Sequence, residues 1–147
     1  MKILQKVFDL CLLMDEKKAE NIVVCNTQKL ANAVDFYIVA TATSSAHAKG
    51  ILDYLEEQIQ EKNMFEYVSR EGFNTSKWLV LDVGEGFIHV FTKDLRDHYN
   101  IEKLVNEGNN IKPYEKLKKD FEKEQKLEDK KVRSIKLKQK VKLKKVK

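Results

Sequence analysis

The chain has one proline and five glycines in 147 residues, two cysteines and a single tryptophan. Each scarcity closes a class of explanation. So little glycine and proline excludes collagen-like and low-complexity architectures and leaves long stretches free to form regular structure. Cys11 and Cys25 lack the close spacing of a zinc site and have no clustered histidines beside them, so no metal centre is indicated. Cys11 lies on an apolar helical stripe and Cys25 ends an apolar run, so both read as small core hydrophobes. Extended hydrophobic runs are missing as well. The opening MKILQKVFDLCLLMDEKKAEN is interrupted by Lys6 and Asp9, too short and too charged for a signal peptide or a membrane span, and the expected location is the cytoplasm.

Charge is plentiful and unevenly placed. Residues 1–110 hold 12 Lys/Arg against 17 Asp/Glu, and residues 111–147 hold 16 against 6. The overall +5 therefore joins a mildly acidic body to a strongly basic tail. At this length the body is one domain, 1–108, with room for an ordinary core. Asn109-Asn110 and Pro113 mark the boundary with the second segment, 109–147. Residues 114–131 suit a charged helix. From Lys130 onward there are 10 Lys/Arg and no acid. Self-repulsion there predicts a solvated, disordered end, despite an alternation I-K-L-K-Q-K-V-K-L-K that taken literally is strand-like.

Periodicity places the elements of the body. Ile3, Leu4, Val7, Phe8, Cys11 and Leu12 recur at steps of three and four, one face of an amphipathic helix. The run 21–25 (NIVVC) is a short β-branched strand, and 35–41 (DFYIVAT) reads as a central strand covered on both faces. Ser44 or Ser45 caps a helix whose apolar stripe is Ala48, Ile51, Leu52, Leu55 and Ile59. Residues 65–70 (FEYVSR) alternate as a third strand. Two further apolar runs, Trp78–Val83 and Phe87–Thr92, flank Gly84-Glu85-Gly86 as a hairpin, because glycine accepts the positive φ of a tight turn. Thr92 and Asn100 can cap short helices after it. The fold class is α/β, with a mixed five-stranded sheet packed by helices and a basic C-terminal extension.

The hairpin region carries a motif. Trp78, Leu81, Asp82, Gly84, His89, Val90 and Phe91 are followed by Arg96, Tyr99, Glu102 and Leu104, and upstream stands Asp35-Phe36-Tyr37-Ile38-Val39 with Thr41 to Ser45. These two blocks, in this order, resemble the ribosomal silencing factors, also called the Iojap family, over residues 1–105. One position departs: the family usually has tryptophan after E-x-L, where this chain has Val105. The resemblance implies a sheet of nucleotidyltransferase-like topology. It also implies a protein that docks on ribosomal protein L-fourteen of the large ribosomal subunit, blocks joining of the small subunit and represses translation. A homodimer through the sheet in the free state is implied in the same way. Carried over from the motif, the partner-binding residues are Trp78, Asp82, His89, Phe91, Arg96 and Tyr99, with no cofactor and no covalent chemistry.

The residues themselves point the same way. Nucleotidyl transfer needs a Gly-Ser turn for the triphosphate and paired carboxylates for magnesium. Here the turn reads Ala42-Thr43-Ser44-Ser45, and Asp82 has Val80 and Gly84 two residues away. A nucleotide-binding or nucleotidyltransferase-type enzyme on the same fold is the alternative reading. Ser76 and Cys25 are only loose candidates for a nucleophile beside His89, and His47 and His98 read as isolated surface residues. Strand alternation puts Trp78, Val80 and Asp82 on one face and Phe87, His89 and Phe91 on one face of the partner strand. The hairpin register, which decides whether these coincide, stays open. Arg96 and Tyr99, three apart, are helix neighbours, forming either a structural salt bridge or cap, or a polar rim around the Trp78/Phe91 patch. In the tail, Lys136, Lys138, Lys140, Lys142, Lys144 and Lys145 are the candidates for non-specific contact with ribosomal RNA, since no aromatic platform interleaves them.

Overall fold

Apolar side chains cover more than half the circumference of the first helix, so the sheet, not the periodicity alone, selects which arc is buried. The computed structural model describes residues 3–28, 34–73, 76–105 and 111–146. In it α1 (Ile3–Glu16) buries Val7, Leu10, Cys11, Leu13 and Met14, while Leu4 and Leu12 of the expected stripe turn outward. Helix α2 (Ser45–Glu61) buries Ala48, Ile51, Leu52, Leu55 and Ile59, the stripe its spacing predicts. Burial of each of its large aliphatic side chains contributes about 1.5–3 kcal/mol. Ser44 is the N-cap and accepts the His47 N–H at 3.0 Å, satisfying one otherwise orphaned donor.

The strands are β1 (Glu20–Asn26), β2 (Phe36–Ala42), β3 (Ser69–Phe73), β4 (Trp78–Asp82), β5 (Gly86–Thr92) and β6 (Ile111–Pro113). They form one mixed sheet in the order β3-β4-β5-β2-β1-β6, with β2 and β5 parallel and the other pairings antiparallel. The sheet therefore has six strands, not five. Residues 111–113 escape periodicity because three residues ending in proline carry no alternation. Proline is tolerated there because the strand lies at an edge. The third strand also starts later than its alternation suggests, at Ser69. Its pairing with β4 runs from Ser69 to Phe73, leaving 65–68 outside the ladder.

Two glycines shape the hairpin for different reasons. Gly84 has φ +82°, the conformation the turn requires, and its N–H is held by the Asp82 carboxylate at 2.8 Å. Gly86 is needed for space: a Cβ there would stand 2.5 Å from the buried Phe36 ring. Past the hairpin come α3 (Lys93–Tyr99) and α4 (Ile101–Val105). Thr92 is the N-cap of α3, although its hydroxyl donates to the Asp94 carboxylate instead of capping a backbone N–H. Asn100 ends α3 in the left-handed conformation, φ 42°.

The chain divides into two compact units, Met1–Tyr114 and Glu115–Lys147. The boundary expected at Gly108 to Asn110 lies outside the described residues. Nearly all of the second unit is α5 (Tyr114–Val146), a helix of 33 residues. The segment beyond Lys130, expected to be disordered, is thus helical to Val146. Its Lys, Leu and Gln are good helix formers with no glycine or proline among them. Glu115–Lys119, Glu122–Lys126 and Asp129–Arg133 are i,i+4 pairs of favourable order. A helix nucleated at Tyr114 extends into the cationic stretch without a second nucleation cost.

Candidate functional site

The hairpin register settles which residues share a face. Trp78 pairs with Phe91, Val80 with His89 and Asp82 with Phe87. Across the parallel pairing, Tyr37 stands beside Phe87, Val39 beside His89 and Thr41 beside Phe91. One sheet face therefore carries Trp78, His89, Phe91, Phe87, Tyr37 and Asp82. The opposite face, with Leu79, Leu81, Val83, Ile88 and Val90, is buried on the side of α1 and α2.

The rings on the first face form a continuous cluster. Trp78 stacks on Phe91 with centroids 4.8 Å apart and meets Tyr99 of α3 at 5.0 Å. His89 lies 5.5 Å from Tyr37, and Tyr37 stacks on Phe87 at 5.6 Å. The Trp78 indole N–H donates to His89 Nδ1 at 3.1 Å, so the neutral ring carries its proton on Nε2. Burial pushes His89 down to a pKa of about 4, which keeps it an acceptor at neutral pH. Trp78, Phe87, His89 and Tyr37 are half-buried, Tyr99 is 40 % exposed, and Phe91 is fully buried beneath them. Large rings with polar tips, partly open and held rigid by one another, suit contact with another macromolecule.

Arg96 goes elsewhere. Its guanidinium donates to Glu102 at 2.6 Å, to the Asn21 carbonyl at 2.6 Å and to the Thr41 hydroxyl at 2.8 Å. Asn21 sits at the irregularity in β1 with φ 48°, which makes its carbonyl available. With Arg96 and Glu102 side chains only 11 % and 22 % exposed, this is an internal clamp joining β1, β2, α3 and α4. Helix neighbours in sequence, Arg96 and Tyr99 thus do different work, one locking the covered end of the face and the other extending the aromatic surface.

Asp82 is half-buried at the hairpin turn and already accepts a hydrogen bond from Gly84. Cys25 is fully buried, and burial pushes its thiol up to about 12, against any nucleophilic role. Both cysteines are free. His47 is not isolated: Nδ1 accepts the Thr43 N–H at 2.9 Å and Nε2 lies 2.8 Å from the Lys17 carbonyl, fastening α2 to the end of α1. Among the described residues no three His, Cys, Asp or Glu are grouped to hold a metal ion, and no helix is long and apolar enough to cross a membrane. In the tail Lys136, Lys138, Lys140 and Lys142 are exposed on α5, whereas the side chains of Lys144 and Lys145 lie outside the described residues, as does that of Val105.

Sequence inspection missed Tyr37 as a member of the face. Phe87 was visible as a neighbour of His89 and Phe91, but Tyr37 joins them only through the parallel β2–β5 register, for which the local sequence has no signal.

An α/β protein with one helix-covered sheet face and one partly open aromatic face is the class that fold and surface define. Comparison with known proteins narrows it. The family described as "ribosomal silencing factor during starvation" matches residues 2–142, so the match continues past residue 105 into the tail. A ribosomal silencing factor of Halalkalibacterium halodurans is 34% identical over 91 residues, covering 62% of this chain and 77% of that one. One from Bacillus subtilis is 31% identical over 90 residues, covering 61% and 75%. Among solved structures, a protein from Chromobacterium violaceum superposes with TM-score 0.67 at 25% identity, over 72% of this chain and 88% of that one. The chain belongs to the ribosomal silencing factor family.

Proposed function

We propose that this protein acts in the cytoplasm by docking its aromatic face on the large ribosomal subunit, at ribosomal protein L-fourteen. There it occupies the side that the small subunit must approach, so the subunits fail to join and translation is repressed. The action is steric. It needs no cofactor and no bond making. The observation that supports it is the half-buried Trp78, braced by Phe91, His89 and Tyr99 on the one sheet face that α1 and α2 leave uncovered. Trp78, His89, Tyr99 and Asp82 make the contact, joined by Tyr37 and Phe87, while Phe91 and Arg96 hold the surface in place. A relation of the sheet to nucleotidyltransferases, and a homodimer of the free protein through the sheet, belong to the same reading.

The experiment is a subunit-joining assay with wild-type protein and Trp78→Ala, each checked for folding. A central interface tryptophan contributes about 2 kcal/mol or more, so the variant should need roughly 30-fold more protein for the same block. Tyr37→Ala, at the far end of the cluster, should weaken it by a smaller factor. Unimpaired joining in the presence of wild-type protein defeats the proposal. So does saturable quenching of Trp78 fluorescence by magnesium–nucleoside triphosphate together with turnover, which would place the chain among nucleotide enzymes.

A further inference from the structure

Charge in the second unit is segregated along one helix. Residues 115–129 of α5 hold five Lys/Arg against six Asp/Glu, whereas 130–147 hold ten and no acid. From Lys130 to Lys142 every side chain is exposed. At about 100° per residue, Arg133, Lys136 and Lys140 form one row, and Lys131, Lys138 and Lys142 a second, roughly on the other side of the helix. The apolar residues do not make a third, unified face. Val132 and Ile135, 49% and 55% exposed, lie on one side, and Leu137 and Val141, 66% and 50% exposed, near the opposite one.

We infer that the distal half of α5 is a binding surface for double-helical RNA, its two cationic rows meeting the two phosphate backbones that border the wide, shallow groove. A duplex presents two parallel walls of negative charge with a gap between them, and a helix about 10–12 Å across with cations on both flanks is complementary to that arrangement. A single strand would engage one row. A membrane surface requires a single apolar face to bury, and the split of Val132 and Ile135 from Leu137 and Val141 denies it one. Without aromatic residues or amide side chains in the rows, the contact is with phosphates and is independent of sequence. This surface does not rest on the docking of the aromatic face, which belongs to the other unit.

The test uses the full chain and a labelled 20-base-pair RNA hairpin, with binding followed by anisotropy across a potassium chloride series. About six phosphate contacts give a slope of log affinity against log salt near −5. Substituting Gln for Lys136, Lys138, Lys140 and Lys142 together, which preserves helix propensity, should bring the slope to about −2 and weaken binding at low salt by on the order of 10²-fold or more. Gln at Lys116, Lys119, Lys123 and Lys126 should change it far less. Single-stranded RNA of equal length should bind at least about tenfold more weakly than the hairpin. Equal losses from the two quadruple variants, or single strand bound as tightly as duplex, overturns the inference. Attachment to phosphatidylserine vesicles that survives 0.5 M salt overturns it too, by showing apolar insertion. Loss of RNA binding in the distal variant with subunit joining still blocked would separate this surface from the aromatic one.

Discussion

His89 shows how one side chain can be read two ways until its surroundings are known. A histidine on a strand invites a catalytic role, yet here it is an acceptor locked under an indole N–H and surrounded by rings. Its folded pKa of about 4 lies below the ordinary 6.5, so between those values the unfolded chain binds a proton that the folded one refuses. Stability from this residue is complete above about pH 6.5 and is lost as pH falls toward 4, by roughly 2–3 kcal/mol. Urea unfolding midpoints at pH 7.5 and 4.5 measure that loss. His89→Gln, which still offers Trp78 an acceptor, should have an unfolding free energy less sensitive to pH across this interval by about that amount. Equal sensitivity in both proteins would mean that the ring is not held neutral. Arg96 makes the complementary case, a charged residue that a surface role would have placed outside and that three internal acceptors draw in.

Elements differ in how far their own residues specify them. Helix α2 was legible from a capping serine and five apolar positions because both signals are local and agree. The hairpin was legible for the same reason, with Gly84 supplying the turn. Edge pieces were not. Strand β6 is defined by its partner β1, and β3 is held at its edge by Arg70 of the strand reaching Asp53 and Glu56 of α2, both at 2.9 Å. Helix α5 corrects the expectation of disorder, but the repulsion behind that expectation is real. Added salt screens like charges that lie farther apart than about a Debye length, which shrinks from ~30 Å at 0.01 M to ~10 Å at 0.1 M. The helical far-ultraviolet signal of the full chain should therefore rise between 10 mM and 300 mM potassium chloride, with no change in the near-ultraviolet signal of Trp78. A helical signal that stays flat or falls would show that propensity and the acidic pairs of its first half already overcome repulsion.

For the molecule as a whole, acidic body and basic helix are separable in composition. Ending the chain after Asp129 removes ten cations and no acid, leaving a net charge of −5 in place of +5. If the aromatic face is the wedge, this shortened protein keeps its unfolding free energy to within about 1 kcal/mol, as expected for loss of an exposed surface segment, and still blocks subunit joining. Failure to block joining while folded would move the main contact to the tail. The family pattern, the hairpin, the helix stripes and the segregation of charge could all be read from the chain, since each is written within a few neighbouring residues as spacing, turn chemistry or charge count. Which face stays open, that Tyr37 stands beside Phe87 and His89, that Arg96 turns inward and that a sixth strand closes the edge depended on residues far apart in sequence. Parallel pairing, and the choice of which apolar arc a helix buries, are properties of the packed layers, and no local run of side chains encodes them.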